Sequence, residues 1–332
     1  MLPHRRPVSN SCAGDPAAVL LREMKPNRIT LCVALLALLA LFALLLPCAG
    51  ILAGDARKDD ILCEWKDVER IVAVGDVHGD FDQFEKALRA AKVIDKKNKW
   101  IAGKTHLVQI GDVPDRGPDT RKAMDLLMQL EDQAKEAGGR VHAIIGNHEA
   151  MVMTGDLRYT HRGEIESFGG REETIKAYSP KGKYGKWILT HNAVIKINDI
   201  LFVHGGISPR YAKKPLAEIN RAVRTELAAG MKGSNTTIAD PGGPLWYRGL
   251  AMNQKGDLDA LADPALEFHK VKRIVIGHTP TRGNIEAKNG GKVIEIDVGM
   301  CRHYGGPAAC LLIEKGEFFD VRPDARHKLE VK

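Results

Sequence analysis

RIVAVGDVHGDFDQFEKALRAA (70–91) decides how the rest of the chain reads. After Arg70, four β-branched or small apolar residues make a short strand. A Gly-Asp-Val-His-Gly turn closes it. DQFEKALRAA (82–91) then places Phe84, Leu88 and Ala91 on one face of a helix. The same unit recurs without being an internal repeat. THLVQI (105–110) runs into GDVPDRGPD, VHAII (141–145) into GNHEAM, ILFV (200–203) into HGGISP, and RIVI (273–276) into GHTPT. Every strand ends in Gly with Asp, His or Asn. A second helix is predicted over 120–136, with Ala123, Leu126, Leu127 and Leu130 at helical spacing and Asp119 or Thr120 as its cap.

Strand, loop, helix, strand predicts an α/β layered domain with its site at the strand C-terminal ends. Strands at 194–197, 293–297 and 309–313 lie closer together and predict a second, more antiparallel sheet. Segments 151–190 and 207–270 lack clear strands and are expected to form helices and loops over one face.

The N-terminal segment reads separately. ITLCVALLALLALFALLLPCAGILAG (29–54) carries no charge, and Lys25 and Arg28 precede it. About 20 apolar residues suffice to cross a bilayer as a helix. MKPNR before the run, with Met24 as the start, resembles an export signal, and small residues at Ala49, Gly50 and Ala53 suit cleavage. The length of the run suits an uncleaved anchor. The organisation expected is therefore a disordered or over-extended N-terminus at 1–28, a signal sequence or transmembrane anchor at 29–53, and one catalytic domain at 54–332. The location expected is periplasmic or extracytoplasmic.

The chain has 332 residues with 49 Lys+Arg and 42 Asp+Glu, a formal charge of +7. Residues 1–53 hold +3 of this, which leaves a mildly basic body of +4. No basic run is interleaved with stacking aromatics, so a nucleic-acid partner is not expected. Hydrophobic content of 44% excludes a disordered chain. Of six cysteines only Cys63, Cys301 and Cys310 fall in the body, which permits at most one disulfide and leaves one thiol free. No CxxC pair is present, so a structural zinc site is not expected.

The strand-end residues suit a pair of divalent ions. Such ions take carboxylate oxygens and imidazole nitrogens at about 2.0–2.2 Å. Asp76, His78 and Asp112 can reach one ion, and Asp112, Asn147, His204 and His278 the other, with Asp112 bridging. Two ions roughly 3.5–4 Å apart clamp a phosphate and activate a shared water as hydroxide. His148 suits a general acid, Asp115 an orienting partner for it, and Arg116 a phosphate fork. One Gly-Asp turn, or one histidine, is ordinary chemistry for a turn or a core; five such turns in order are not. His106, His142, His161, His191, His269, His303 and His327 belong to no motif and are read as ordinary.

GDVHG (75–79), GDVPDRG (111–117), GNHE (146–149), HGG (204–206) and GH (277–278) together resemble the calcineurin-like metallophosphoesterases. More narrowly they resemble its phosphoprotein phosphatase branch. GNHEAMVMTGDLRY (146–159), LWYRG (245–249) and IDVGMCRHYGG (296–306) are most similar to the Shewanella-like phosphatases. The resemblance spans about 70–315. It implies a β-sandwich of two mixed sheets flanked by helices, four layers in the order αββα. It carries the metal ligands onto Asp76, His78, Asp112, Asn147, His204 and His278, the acid onto His148 and the phosphate arginine onto Arg116. Arg248 of LWYRG is implied as a second phosphate clamp. Val113 stands where an aromatic is usual, and Pro114 follows it. The eukaryotic SAPNYC segment is replaced by the DVGM–YGG segment, so inhibitor sensitivity and regulatory subunits do not transfer.

The activity implied is hydrolysis of phosphomonoesters, foremost phosphoprotein, with two ions of manganese, iron, zinc or cobalt and manganese first. The alternatives are a nucleotidase or dinucleoside polyphosphate hydrolase, and a catalytically silent, membrane-tethered binding module. The partners expected are a phosphorylated protein or small phosphoester, and a membrane if 29–53 is retained.

Overall fold

A computed structural model describes residues 61–233, 235–253 and 257–331. The expectations for 1–28 and 29–53 lie outside the described residues. Among the described residues no helix is long and apolar enough to cross a membrane.

The described residues open with β1 (Glu64–Trp65), β2 (Arg70–Val74), α1 (Phe81–Ala90), β3 (His106–Gln109), α2 (Thr120–Glu136) and β4 (Arg140–Ala143). Four short helices follow: α3 (Asn147–Met153), α4 (Arg162–Phe168), α5 (Arg171–Tyr178) and α6 (Lys183–Ile188). Next come β5 (Val194–Ile197), β6 (Ile200–Val203), α7 (Leu216–Ala228), α8 (Gly249–Met252), α9 (Leu258–His269) and β7 (Arg273–Ile276). The chain closes with β8 (Glu286–Lys288), β9 (Val293–Glu295), β10 (Cys310–Glu314), β11 (Glu317–Val321) and β12 (Arg326–Lys328).

The strands form two six-stranded mixed sheets, ordered β12-β11-β10-β2-β3-β4 and β1-β5-β6-β7-β9-β8. In the first, β2, β3 and β4 run parallel, so Val74, Gln109 and Ala143 end in register and their loops leave on one edge. In the second, β6 and β7 are parallel with Val203 opposite Ile276, which delivers HGG and GH together. Side-chain alternation splits the second sheet between two apolar layers. Ile195, Phe202, Val275 and Ile294 join the core that also holds the first sheet. Val194, Leu201, Val203, Ile274, Ile276 and Val293 face the layer containing Leu216, Ile219, Ala262 and Leu266 of α7 and α9. The four-layer sandwich with helices outside is thus the arrangement found.

Several expectations are corrected. Residues 309–313 do not join 194–197 and 293–297 in a second sheet; β10 pairs antiparallel with β2 in the first. The strand read as 293–297 ends at Glu295, and its last two residues turn toward the site. Segments 151–190 and 207–270 do not share a face. α4 packs on α2, whereas α7 packs on β5 and α9 on β7. Asp119 occupies the cap position of α2 without a side-chain cap bond, because its carboxylate pairs with Lys122 at 2.7 Å. The Thr120 hydroxyl donates to Glu164 instead, at 2.7 Å. β1, β8, β11 and β12 carry too little apolar alternation to be read in advance. Cys63, Cys301 and Cys310 are all buried free thiols.

Two loops interlock through bare backbone. The N–H groups of Val77 and His78 both donate to the Asp112 carbonyl, at 3.0 and 2.9 Å, and Gly79 N–H donates to Val113 at 2.8 Å. Gly79 has φ +65°, and a Cβ there would lie 2.5 Å from the Gly117 carbonyl oxygen. Gly103 has φ +56° with no atom within 4 Å of such a Cβ. Both substitutions to alanine meet the same left-handed penalty, so their difference isolates the interlock. Gly79→Ala should destabilise the protein by about 1–3 kcal/mol more than Gly103→Ala in denaturant unfolding. Equal unfolding midpoints would refute the interlock.

Candidate metal and phosphate site

Asp76, Asp112 and Asn147 follow β2, β3 and β4, and His204 and His278 follow β6 and β7, so the two sheets supply one cluster from their adjoining edges. All six predicted ligands are buried. His204 Nε2 lies 2.9 Å from Asn147 Oδ1 and 3.2 Å from Asp112 Oδ1. His78 Nε2 lies 3.7 Å from Asp112 Oδ2. The ligand atoms of Asp112, His204 and His278 lie within 4.8 Å of one another, and so do those of His78, Asp112 and His148. Asp112 therefore belongs to both groups, as a bridging carboxylate must. Asp76 accepts the His278 backbone N–H at 3.1 and 3.2 Å.

The tautomers are set from outside the cluster. His78 Nδ1 donates to the Pro114 carbonyl and His204 Nδ1 to the Ile110 carbonyl, both at 3.0 Å. That leaves Nε2 of each ring with a lone pair facing carboxylate and amide oxygens. His278 Nε2 is buried without any partner, as is Asp297 Oδ2. Lone pairs that face lone pairs, and buried polar atoms without a hydrogen-bond partner, fit a bound cation. Electrostatics agree. Burial pushes His78 down to about 3 and His278 down to about 2, so both rings are in the neutral, ligating form. Burial and the neighbouring Asp297 push Asp76 well above the usual carboxylate range.

Backbone strain is concentrated here. His78, Asp112, Asp115, Arg116 and His278 all adopt positive φ, from 45° to 73°. Each such non-glycine residue costs on the order of 1–3 kcal/mol and persists only where its surroundings over-determine it. Glu149 is one such constraint. Its carboxylate accepts from Asp112 N–H, Val113 N–H and Gly146 N–H at 2.9, 2.8 and 2.8 Å, tying the β3 loop to the start of α3.

Next to the cluster, His148 Nδ1 donates to Asp115 Oδ2 at 2.5 Å. The other Asp115 oxygen accepts from the Thr160 hydroxyl at 2.7 Å. The Asp115 N–H donates to Glu164 at 3.2 Å. Burial lowers the His148 pKa, but Asp112 and Asp115 outweigh it and the ring is held above its ordinary value. His148 Nε2 lies 3.8 Å from Asp112 Oδ2. Arg116 stands at the mouth, with Nη1 3.2 Å from His303 Nε2 and Nε without a partner. Arg248 reaches the same region, but its Nη1 is committed to the His278 carbonyl at 2.7 Å and Thr279 Oγ1 at 2.9 Å. It braces the His278 loop.

The structure thus gathers all ten predicted residues around one point. It adds Asp297, Glu149, Thr160, Glu164, Tyr159, Tyr304 and His303. Asp297 had a signal: an apolar strand ending in an acid, like β2 and β3. His303 had none. A roomier hollow of about 600 Å³ lies at the opposite end of β2, between Arg70 and Asp324, and contains no histidine.

Comparison with known proteins agrees with this geometry. The family model described as calcineurin-like phosphoesterase matches residues 69–282. An uncharacterised protein of Schizosaccharomyces pombe is 35% identical over 258 residues, 74% of this chain and 78% of that one. Shewanella-like protein phosphatase 2 of Arabidopsis thaliana is 32% identical over 296 residues, covering 75% of each chain. Among solved structures, the cold-active protein-tyrosine phosphatase of a psychrophilic Shewanella superposes with a TM-score of 0.73 at 30% identity, covering 81% of this chain and 83% of that one. The family implies divalent metal ions, and residues that could hold them are present. The chain belongs to the calcineurin-like phosphoesterase family and is a hydrolase of phosphate esters.

Proposed function

We propose that the protein is a metal-dependent phosphomonoesterase that acts on phosphoprotein. The observation that carries this reading is the convergence on Asp112 of imidazole lone pairs with no protein donor, beside a second imidazole that Asp115 holds at 2.5 Å. Asp76, His78 and Asp112 would hold one divalent ion, and Asp112, Asn147, His204 and His278 the other, with manganese first among manganese, iron, zinc and cobalt. Such ions, when bound, supply Lewis acidity toward the phosphate and a water acidic enough to attack it.

The rest of the reaction falls to the chain. Arg116 offers a planar fork to the phosphate oxygens. Arg248 would add the donors left after bracing the His278 loop. His148, with Nδ1 committed to Asp115, carries its other proton on Nε2 and gives it to the departing oxygen. Thr160 and Glu164 fix Asp115, and so fix the ring. Asp297 lies against Asp76 and would orient it.

A groove of about 410 Å³ supports a polypeptide substrate. Asn147, Met151, Arg158, Lys232, Ile238 and Trp246 are among the residues that line it. The names of the Arabidopsis and Shewanella relatives point the same way. We also propose that residues 29–53 carry this domain out of the cytoplasm, as a cleaved signal or a retained anchor, to a periplasmic or other extracytoplasmic site. Uncharged apolar sequence of that length supports it. Fractionation of tagged cells tests it, and recovery in the cytosol would refute it.

Asp112→Asn should lower kcat on p-nitrophenyl phosphate by about 100-fold or more and reduce bound metal from two ions per chain to one or none. Full activity with two ions would refute the bridging role. A wild-type protein that binds fewer than two ions and turns over no phosphoester would favour a silent binding module. Faster cleavage of diadenosine tetraphosphate than of phosphopeptide would favour the polyphosphate reading.

Asp115→Asn should lower kcat by about 10²- to 10⁴-fold on alkyl phosphates and by less on p-nitrophenyl phosphate, whose leaving group needs no proton. The sign of the pH effect follows from His148. Its proton is held above the ordinary imidazole range by Asp112 and Asp115, and activity that needs it fades as pH rises through that value. Loss of the Asp115 charge should therefore move the alkaline limb of kcat to lower pH. An unmoved limb would exclude His148 as the acid.

A further inference from the structure

Two large aromatic rings stand at the mouth of an otherwise polar, buried site. Tyr159 is 44% exposed and Tyr304 is 40% exposed. Among the described residues neither phenol hydroxyl has a hydrogen-bond partner, so neither ring is kept there by a polar tie of its own. The Arg116 guanidinium lies 4.9 Å from the Tyr159 ring centroid and 5.2 Å from that of Tyr304. The Tyr159 carbonyl also accepts the Arg116 N–H at 2.9 Å. The phosphate fork is thus flanked by two aromatic rings.

The two rings have different neighbours in the site. Tyr304 lies against His78, ring centroids 5.9 Å apart, on the ligand side. Tyr159 lies against His148, centroids 5.4 Å apart and planes at 51°. In the reading above His148 protonates the departing oxygen, so the group attached to that oxygen emerges on the side of His148. Tyr159 is the exposed aromatic on that side. Arg158 also borders this ring at 5.7 Å, but it is bound bidentately by Asp156 and is turned to solvent.

Resting on the phosphatase reading, we infer that Tyr159 is a specificity-determining residue that recognises an aryl leaving group. An aryl phosphate, such as a phosphotyrosine side chain, brings a ring to the exposed edge of Tyr159, in offset or edge-to-face contact. An alkyl phosphate, such as phosphoserine, brings only a methylene and leaves that edge in water. Tyr304, on the ligand side, steadies Arg116 and serves both substrates alike.

The test uses the full chain loaded with manganese and two probes that are not hydrolysed. Phenylphosphonate and methylphosphonate share the phosphonate head and differ in the aryl group. Calorimetry on wild type should give tighter binding of phenylphosphonate. Tyr159→Ala should reduce the ratio of the two affinities by about 3- to 10-fold, the range of one aromatic pair. Tyr159→Phe should keep the ratio, because the ring and not the hydroxyl makes the contact. Tyr304→Ala should weaken both probes together and leave the ratio in place. The kcat/KM ratio for one peptide bearing phosphotyrosine or phosphoserine should follow the same pattern. An unchanged ratio in Tyr159→Ala would overturn the inference, as would an equal loss in Tyr159→Phe. Because binding of the phosphonates is read without turnover, an inactive wild type would refute the phosphatase reading while the ratio still judges Tyr159.

Discussion

The site depends on one buried carboxylate that has more imidazoles around it than protons to share. Asp112 lies at the junction of two groups of potential ligands, one with His78 and His148 and one with His204 and His278. Backbone carbonyls at Pro114 and Ile110 take the Nδ1 protons of His78 and His204. Nε2 of each ring therefore has no proton to offer the carboxylate. In a protein interior such an arrangement is costly unless positive charge enters it. Divalent cations resolve it, and the family to which the chain belongs uses them. The chemistry of the domain begins from that electrostatic deficit.

The scaffold exists to keep those donors from relaxing apart. Parallel strands end together, so β2, β3 and β4 deliver three loops to one edge while β6 and β7 deliver two more from the other sheet. Five residues of the site sit in left-handed backbone. Tight contact between loops maintains that strain, with Gly79 and Gly117 touching through bare backbone and Glu149 accepting three N–H groups from two loops. Around His148 and Asp115 the same economy holds. Thr160 and Glu164, both from the segment after α3, fix opposite parts of Asp115, and Asp115 fixes His148.

The rim of the site is built differently from its floor. The floor is rigid, buried and polar. The rim is aromatic and half open, with Tyr159 and Tyr304 on either side of Arg116. Phosphate is the same in every substrate, and the floor can be strict toward it. Substrates differ in what the phosphate is attached to, and it is the exposed rim that meets that difference.

The sequence by itself determined the parts that local chemistry dictates. β2, β5, β6, β7 and α2 lie where their periodicity placed them, and every strand ending in Gly-Asp, Gly-Asn or Gly-His brought that residue to the cluster. These signals are short-range, because side-chain period and turn residues act within a few positions. Only the tertiary structure decided the pairing. That β10 returns to lie beside β2 depends on contacts between residues more than 200 positions apart, and the sides taken by α4, α7 and α9 depend on which helix or strand each meets. The same holds for residues whose role is given by a neighbour. His303 and Tyr304 come to Arg116, and Asp297 to Asp76, across about 190 to 220 residues of chain. No local pattern in the sequence marks such a meeting, because its energy is realised only when distant loops pack.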